Sequence, residues 1–404
     1  MTIIKVDAII AAQETETSNI QDQDDEILSR FRDAQQQRTV LHPKLPQPHD
    51  HYASAPKKYC DKAASYILET KKPKRELSSS IPQTTTSVSE KEPSRHSYSF
   101  VVCADTQIGM YSQNKEWETE LAYSRQAVEL INSLNPRPLW CIMCGDIADM
   151  ELSFYENTKG FTRNDCFRIQ KQQYADFQKV YAQLHPDICM VCVCGNHDIG
   201  NRPTPASMDI WKNAFGDDTV AFWVNGTYNI CLNTTLIKDH SAPGSQELYD
   251  SQLEWLKDRL AYAKTNHAGN IFVFGHHPWF IYSEDEIDED MTGISPEPKH
   301  WGFQRNGVPD YYFHIPLEYR RIYMELFREY GVSASFSGHF HQNMVSKSSF
   351  GMDMIITSSL STVFDSTGKP KSFISTDPNC RGIRLVDVQS KSCNYQHRFL
   401  PLDK

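Results

Sequence analysis

Five times along the chain an apolar run of strand length stops at a short polar motif. The runs are Ser99 to Ala104, Leu139 to Cys144, Ile188 to Cys194, Asn270 to Phe274 and Val332 to Ser337. The motifs are Asp105-Thr106-Gln107, Gly145-Asp146-Ile147-Ala148-Asp149, Gly195-Asn196-His197-Asp198, Gly275-His276-His277-Pro278 and Gly338-His339-Phe340-His341. Amphipathic stretches lie between them, Trp117 to Leu134, Phe167 to Leu184, Ser251 to Lys264 and Pro316 to Tyr330. The third opens on a capping box, Ser251 with Glu254, and the fourth closes on Gly331. Such alternation predicts an α/β domain. Toward the end the pattern changes to strand after strand (Met352 to Thr357, Ile383 to Val388, Tyr395 to Phe399), and Asn225-Gly226 joins Val220 to Val224 and Thr227 to Leu232 as a hairpin. More than one sheet is therefore expected.

Residues 1 to 95 differ in kind. They contain no Gly and only four of the 46 aromatic residues, Phe31, Tyr52, Tyr59 and Tyr66. A stretch so poor in apolar mass cannot bury enough surface to offset its ordering entropy, so it is expected to be a largely disordered arm, with the catalytic domain over 96–404. Short helices are expected near Glu26 to Gln37 and Lys57 to Thr70. The 404 residues carry 41 Lys+Arg against 51 Asp+Glu, a net charge of −10, which argues against gripping nucleic acid or an anionic membrane by charge. No run approaches the roughly 18 apolar residues of a membrane span, and no signal-peptide pattern opens the chain. The 11 cysteines, an odd number, fall mostly inside apolar runs. Two C-x-x-C pairs, Cys141 with Cys144 and Cys189 with Cys192, have zinc-ribbon spacing but strand surroundings, so they are read as core thiols. Free thiols suit a reducing compartment, and a cytoplasmic location is expected.

Ligand groups of open α/β sheets collect at the carboxyl ends of strands, where all five motifs stand. Singly each motif is a common strand-to-turn junction. Together they deliver carboxylates, amides and imidazoles, a mixed oxygen and nitrogen set that suits Mn, Fe, Zn or Mg and is large enough for two ions sharing a carboxylate. Asp146 is the natural bridge, because Gly145 before it lets the backbone turn sharply. His339 and His341, two apart, project to one side of an extended segment while Phe340 turns into the core.

The order of these motifs resembles the calcineurin-like metallophosphoesterases, over about Phe100 to Leu400. The run Gly195 to Pro205, Phe222-Trp223-Val224 and Asp310-Tyr311-Tyr312-Phe313 resemble the branch named calcineurin-like phosphoesterase domain-containing proteins, described as serine/threonine phosphatases. The resemblance implies a four-layer sandwich, two mixed β-sheets flanked by helices. It implies that Asp105, Gln107, Asp146 and His341 hold a first metal ion and that Asp146, Asn196, His276 and His339 hold a second. His197 would donate a proton or stabilise the transition state, oriented by Asp198. Two such cations would clamp a phosphate, and a water between them would ionise near neutral pH and attack phosphorus in line. Gln107 departs from the His that most of the superfamily carries, and its neutral amide is a weaker donor. Purple acid phosphatases carry a Tyr ligand where this chain has Asp149, which argues against that subfamily.

Three readings stay open at this point. They are a phosphomonoesterase acting on phosphoserine, phosphothreonine or a small phosphoester, a phosphodiesterase of the cyclic-nucleotide type, and a non-catalytic scaffold on the same fold. Arg202 and His277 are the candidate substrate contacts, by pairing with phosphate and by lining the pocket. The run 284–290 holds six carboxylates in seven residues, a solvated acidic loop, and 291–309 reads as a Gly/Pro-rich loop beside the site.

Overall fold

The structure is a computed structural model that describes residues 97–286, 310–363, 380–389 and 394–402. The expectations for the arm 1–95, for most of the acidic run and for the loop 291–309 fall outside those residues.

Eleven strands form two sheets among the described residues. The first has the order β11-β10-β1-β2-β3, from β1 (Ser97–Cys103), β2 (Trp140–Cys144), β3 (Cys189–Val193), β10 (Gly382–Gln389) and β11 (Asn394–Pro401). The second has the order β4-β5-β6-β7-β9-β8, from β4 (Val220–Val224), β5 (Thr227–Cys231), β6 (Asn270–Phe274), β7 (Ala334–Ser337), β8 (Met344–Lys347) and β9 (Asp353–Ile356). Both are mixed. β1, β2 and β3 run parallel while β10 and β11 are antiparallel, and β5, β6, β7 and β9 run parallel with antiparallel β4 and β8 at the edges.

The strands read as continuous apolar runs because both faces are covered. On β1, Phe100 and Val102 point to the other sheet; beside Trp140 and Ile142 of β2 they meet Phe272, Phe274 and Phe336 from that sheet. Val101 and Cys103 point outward to the helices α1 (Glu118–Ser133) and α3 (Arg163–Tyr181), which supply Val128, Ile131, Phe177 and Tyr181. The second sheet is covered by α7 (Ser245–Thr265) and α8 (Leu317–Tyr330) through Leu256, Leu260, Tyr323 and Phe327. The period of two along each strand thus sorts one side chain into the sheet-to-sheet core and the next under a helix. The result is the expected helix, sheet, sheet, helix order. Shorter helices α2 (Leu152–Thr158), α4 (Asn196–Ile199), α5 (Pro205–Phe215) and α6 (Thr234–Lys238) occupy the loops after strands. Cys141, Cys144 and Cys192 are buried strand residues, in keeping with core thiols. Among the described residues no helix is long and apolar enough to cross a membrane.

Candidate metal centre

The carboxyl ends of β1, β2 and β3 face the same region as those of β6 and β7, so both sheets contribute to one cluster. Asp105 and Gln107 follow β1, Asp146 follows β2, Asn196 and His197 follow β3, His276 follows β6, and His339 and His341 follow β7. The loops are stitched to one another, within each sheet and, through Asp105 and His339, between the two. The Asp105 carboxylate accepts the backbone N–H of His339 at 2.9 Å, Gly338 N–H reaches the His276 carbonyl at 3.0 Å, and Gln107 N–H reaches the Asp146 carbonyl at 2.8 Å.

Asp146 touches donors on two sides. Its Oδ2 lies 3.2 Å from His276 Nε2 and 3.3 Å from Gln107 Nε2. On one side His276 Nε2 is 3.1 Å from both Asn196 Oδ1 and His339 Nδ1; on the other, His341 Nε2 is 3.4 Å from Asp105 Oδ1. All seven side chains are buried, the most open being His339 at 5%. Each imidazole has its remaining nitrogen on a backbone carbonyl: His276 Nδ1 on Cys144 at 2.8 Å, His339 Nε2 on Tyr312 at 2.9 Å, and His341 Nδ1 on Thr362 at 2.6 Å. Those bonds orient each ring so that its other nitrogen faces into the cluster, as in metal-ligating histidines.

The backbone is bent to achieve this. Nine non-glycine residues have positive φ among the described residues, and Asp105 (54°), Gln107 (33°), Asp146 (51°), His339 (64°) and His341 (56°) are five of them. Each such placement costs on the order of 1–3 kcal/mol, so a concentration of this kind marks a functional site. Gly145, at φ 83°, takes the sharp turn expected of it, and a Cβ there would lie 2.5 Å from His276 Nδ1.

The donor set fits metal ions. Ligand atoms of Asp105, Asp146 and His276 lie within 4.8 Å of one another, as do those of His276, His277 and His339. Gln107 Oε1 is buried without a hydrogen-bond partner, an acceptor that a cation would satisfy. Burial pushes the Asp146 carboxyl up, but His276, His197 and His339 outweigh it and hold it below the ordinary carboxylate range. Burial likewise disfavours the charged form of His276, while Asp146 and Asp105 raise it to about 9.

His197 is 22% exposed at its side chain and takes its orientation from Asp149. Its Nδ1 lies 3.0 Å from the Asp149 carbonyl and 3.4 Å from Oδ1 of the same residue. Asp149 is held in turn by Tyr155 and, at 2.8 Å, by Asn114. Burial works against the imidazolium, yet Asp146 and Asp149 bring its pKa up to about 9. The expected partner, Asp198, does something else. Its carboxylate accepts the backbone N–H groups of Gly195 at 2.8 Å, Ile147 at 3.1 Å and Ala148 at 3.2 Å, clamping the loops after β2 and β3 together. Burial and the nearby Asp146 push its pKa up to about 7 against those bonds.

Arg202 also departs from expectation. Its side chain is 66% exposed and pairs with Ser241 at 2.8 Å and Asp239 at 3.7 Å, where a hydroxyl and a carboxylate already serve it. His277 is brought to the cluster as a buried neighbour of His339, with ring centroids 4.2 Å apart. Sequence reasoning missed Asp149 as the partner of His197, although it stands three residues after Asp146 in the same motif, and it missed Tyr312 as a contact of two donors.

Residues 98–343 match the family model described as calcineurin-like phosphoesterase. The chain belongs to the calcineurin-like phosphoesterase family. It is a phosphoester hydrolase, and its buried His and Asp groups can hold the metal ions that this family's chemistry calls for. Serine/threonine-protein phosphatase CPPED1 from Danio rerio and that from Homo sapiens are each 29% identical to this phosphoesterase over 314 residues, which is 76% of this chain and 85% and 84% of theirs. Among solved structures, a dimetal phosphatase from Danio rerio aligns with a TM-score of 0.44 and 13% identity, over 72% of this chain and 92% of that chain.

Proposed function

We propose that the protein is a dinuclear metal-dependent phosphomonoesterase that acts on phosphoserine or phosphothreonine in proteins. The observation that carries this reading is Asp146, whose Oδ2 stands 3.2 Å from His276 and 3.3 Å from Gln107, so one carboxylate serves both halves of the donor set. Asp105, Gln107, Asp146 and His341 would hold one ion, and Asp146, Asn196, His276 and His339 the other. When bound, such ions supply positive charge against the phosphoryl oxygens and lower the pKa of the attacking water. His197, with Nδ1 committed to Asp149, keeps Nε2 to hold a proton for the departing oxygen. An alkoxide leaving from serine or threonine needs that proton, which suits the serine/threonine phosphatase activity for which the 29% identical relatives are named.

The test joins elemental analysis to hydrolysis of a phosphoserine peptide. Two equivalents of metal and turnover lost in both Asp146→Asn and His197→Ala are expected. Wild-type turnover in those variants would sink the reading. A strong preference for a chromogenic diester over the monoester would move the substrate to the phosphodiester class, and no metal uptake from Mn, Fe, Mg or Zn would leave a scaffold.

A further inference from the structure

Tyr312 stands in the 3-10 turn Asp310–Phe313 and reaches two of the donors at once. Its backbone carbonyl accepts the Nε2–H of His339 at 2.9 Å, and its phenol oxygen accepts the Nδ2–H of Asn196 at 3.2 Å. Each contact selects a ligand atom. With Nε2 engaged, His339 presents Nδ1, and with Nδ2 engaged, Asn196 presents Oδ1; both atoms lie 3.1 Å from His276 Nε2. Without the phenol nothing in that pair distinguishes the two ends of the Asn196 amide, and a flip would turn an N–H, which repels a cation, toward the ligand position. In the other half of the donor set the orienting contacts differ. His341 takes its tautomer from the Thr362 carbonyl and Gln107 contacts Asp146.

We propose that Tyr312 is a positioning residue that sets the cation affinity of the subsite formed by Asn196, His276 and His339, without altering that of the subsite formed by Asp105, Gln107 and His341. The inference rests on the dinuclear reading above. Tyr312→Phe removes the phenol oxygen and keeps the ring and the carbonyl, so Asn196 loses its partner while His339 does not. Polar partners that orient a metal ligand are worth about 10–100-fold in affinity, and a loss in that range is expected.

The experiment is a calorimetric titration of the cation-free full-length protein with Mn²⁺. Asn196→Ala and His341→Ala identify which binding step belongs to which subsite. Tyr312→Phe should weaken by about 10–100-fold the step that Asn196→Ala abolishes and leave the other step in place. The melting temperature of its cation-free form should match wild type. Two unchanged steps in Tyr312→Phe overturn the role of Tyr312 alone. Equal weakening of both steps, or an early melt without cation, overturns it too, by showing that the residue only supports the fold. A wild-type protein that takes up fewer than two ions overturns the dinuclear reading and this inference with it.

Discussion

At the scale of single residues, the site separates donors from the groups that aim them. His197 depends on Asp149 through two acceptors, a carbonyl at 3.0 Å and a carboxylate oxygen at 3.4 Å. Asp149→Asn removes the charge and leaves the nearer carbonyl, so the ring should keep its direction and lose part of its proton affinity. Since general acid catalysis contributes roughly 10²–10⁴-fold, His197→Ala should lower kcat by that much on a phosphoserine peptide and far less on a nitrophenyl phosphate, whose leaving group needs no proton. Asp149→Asn should fall between wild type and His197→Ala on the peptide. Equal losses for the two variants would show that the carbonyl cannot hold the ring. That these seven side chains come together was legible in the sequence because carboxylate, amide and imidazole types recur at strand ends, and the family resemblance singled them out from their neighbours. Their partners were not, since Cys144, Tyr312 and Thr362 act on the histidines through main-chain carbonyls, which every residue carries. Asp198 misled for a geometric reason. It follows His197 within the helical turn Asn196–Ile199, where successive side chains diverge by about 100°, so neighbours in sequence face different ways.

Elements were legible where the pattern was unambiguous. Asn270–Phe274 is a strand over the range its apolar run predicts, and the hairpin turns at Asn225-Gly226. β8 escaped because it is an edge strand with alternating exposure and no apolar run. The capping box at Ser251 proved false: α7 begins at Ser245, and the Ser251 hydroxyl donates back to the Glu247 carbonyl inside the helix. The stop at Gly331 held. That glycine caps α8 at φ 74°, and an added Cβ would meet nothing within 4 Å. Gly331→Ala should therefore cost only the left-handed conformation, about 1–2 kcal/mol in urea unfolding, with activity intact. Gly145→Ala combines the same strain, at φ 83°, with a Cβ 2.5 Å from His276 Nδ1. It should displace the His276 ring and abolish metal uptake. A Gly145→Ala protein that binds metal like wild type would mean that the loop after β2 yields without disturbing β6.

Across the whole molecule, the site exists only where the two sheets meet, so the core between them supports chemistry as well as stability. Phe100 is central to that core, 4.5 Å from Trp140 and 5.7 to 5.9 Å from Phe272, Phe274 and Phe336 by ring centroids. Phe274 leads directly into Gly275-His276, and Phe336 stands two positions before Gly338, with Ser337 between them. Phe177 on α3 is just as buried, but it packs under a helix with Tyr181 and Phe215, away from the gap between the sheets. Truncating either to Ala should cost about 3–5 kcal/mol, a large part of the roughly 5–15 kcal/mol that holds a domain folded. The two should differ in function. Phe100→Ala lets β1 shift against β6 and β7, which moves Asp105 relative to His276 and His339, so metal affinity should drop along with the melting temperature. Phe177→Ala should lower the melting temperature by a similar amount and leave the affinity of the surviving folded protein unchanged. Measuring unfolding in urea and Mn²⁺ binding on both variants decides the matter. If metal affinity falls equally in the two, the sheet-to-sheet core has no privileged hold on the site and the donors answer only to global stability.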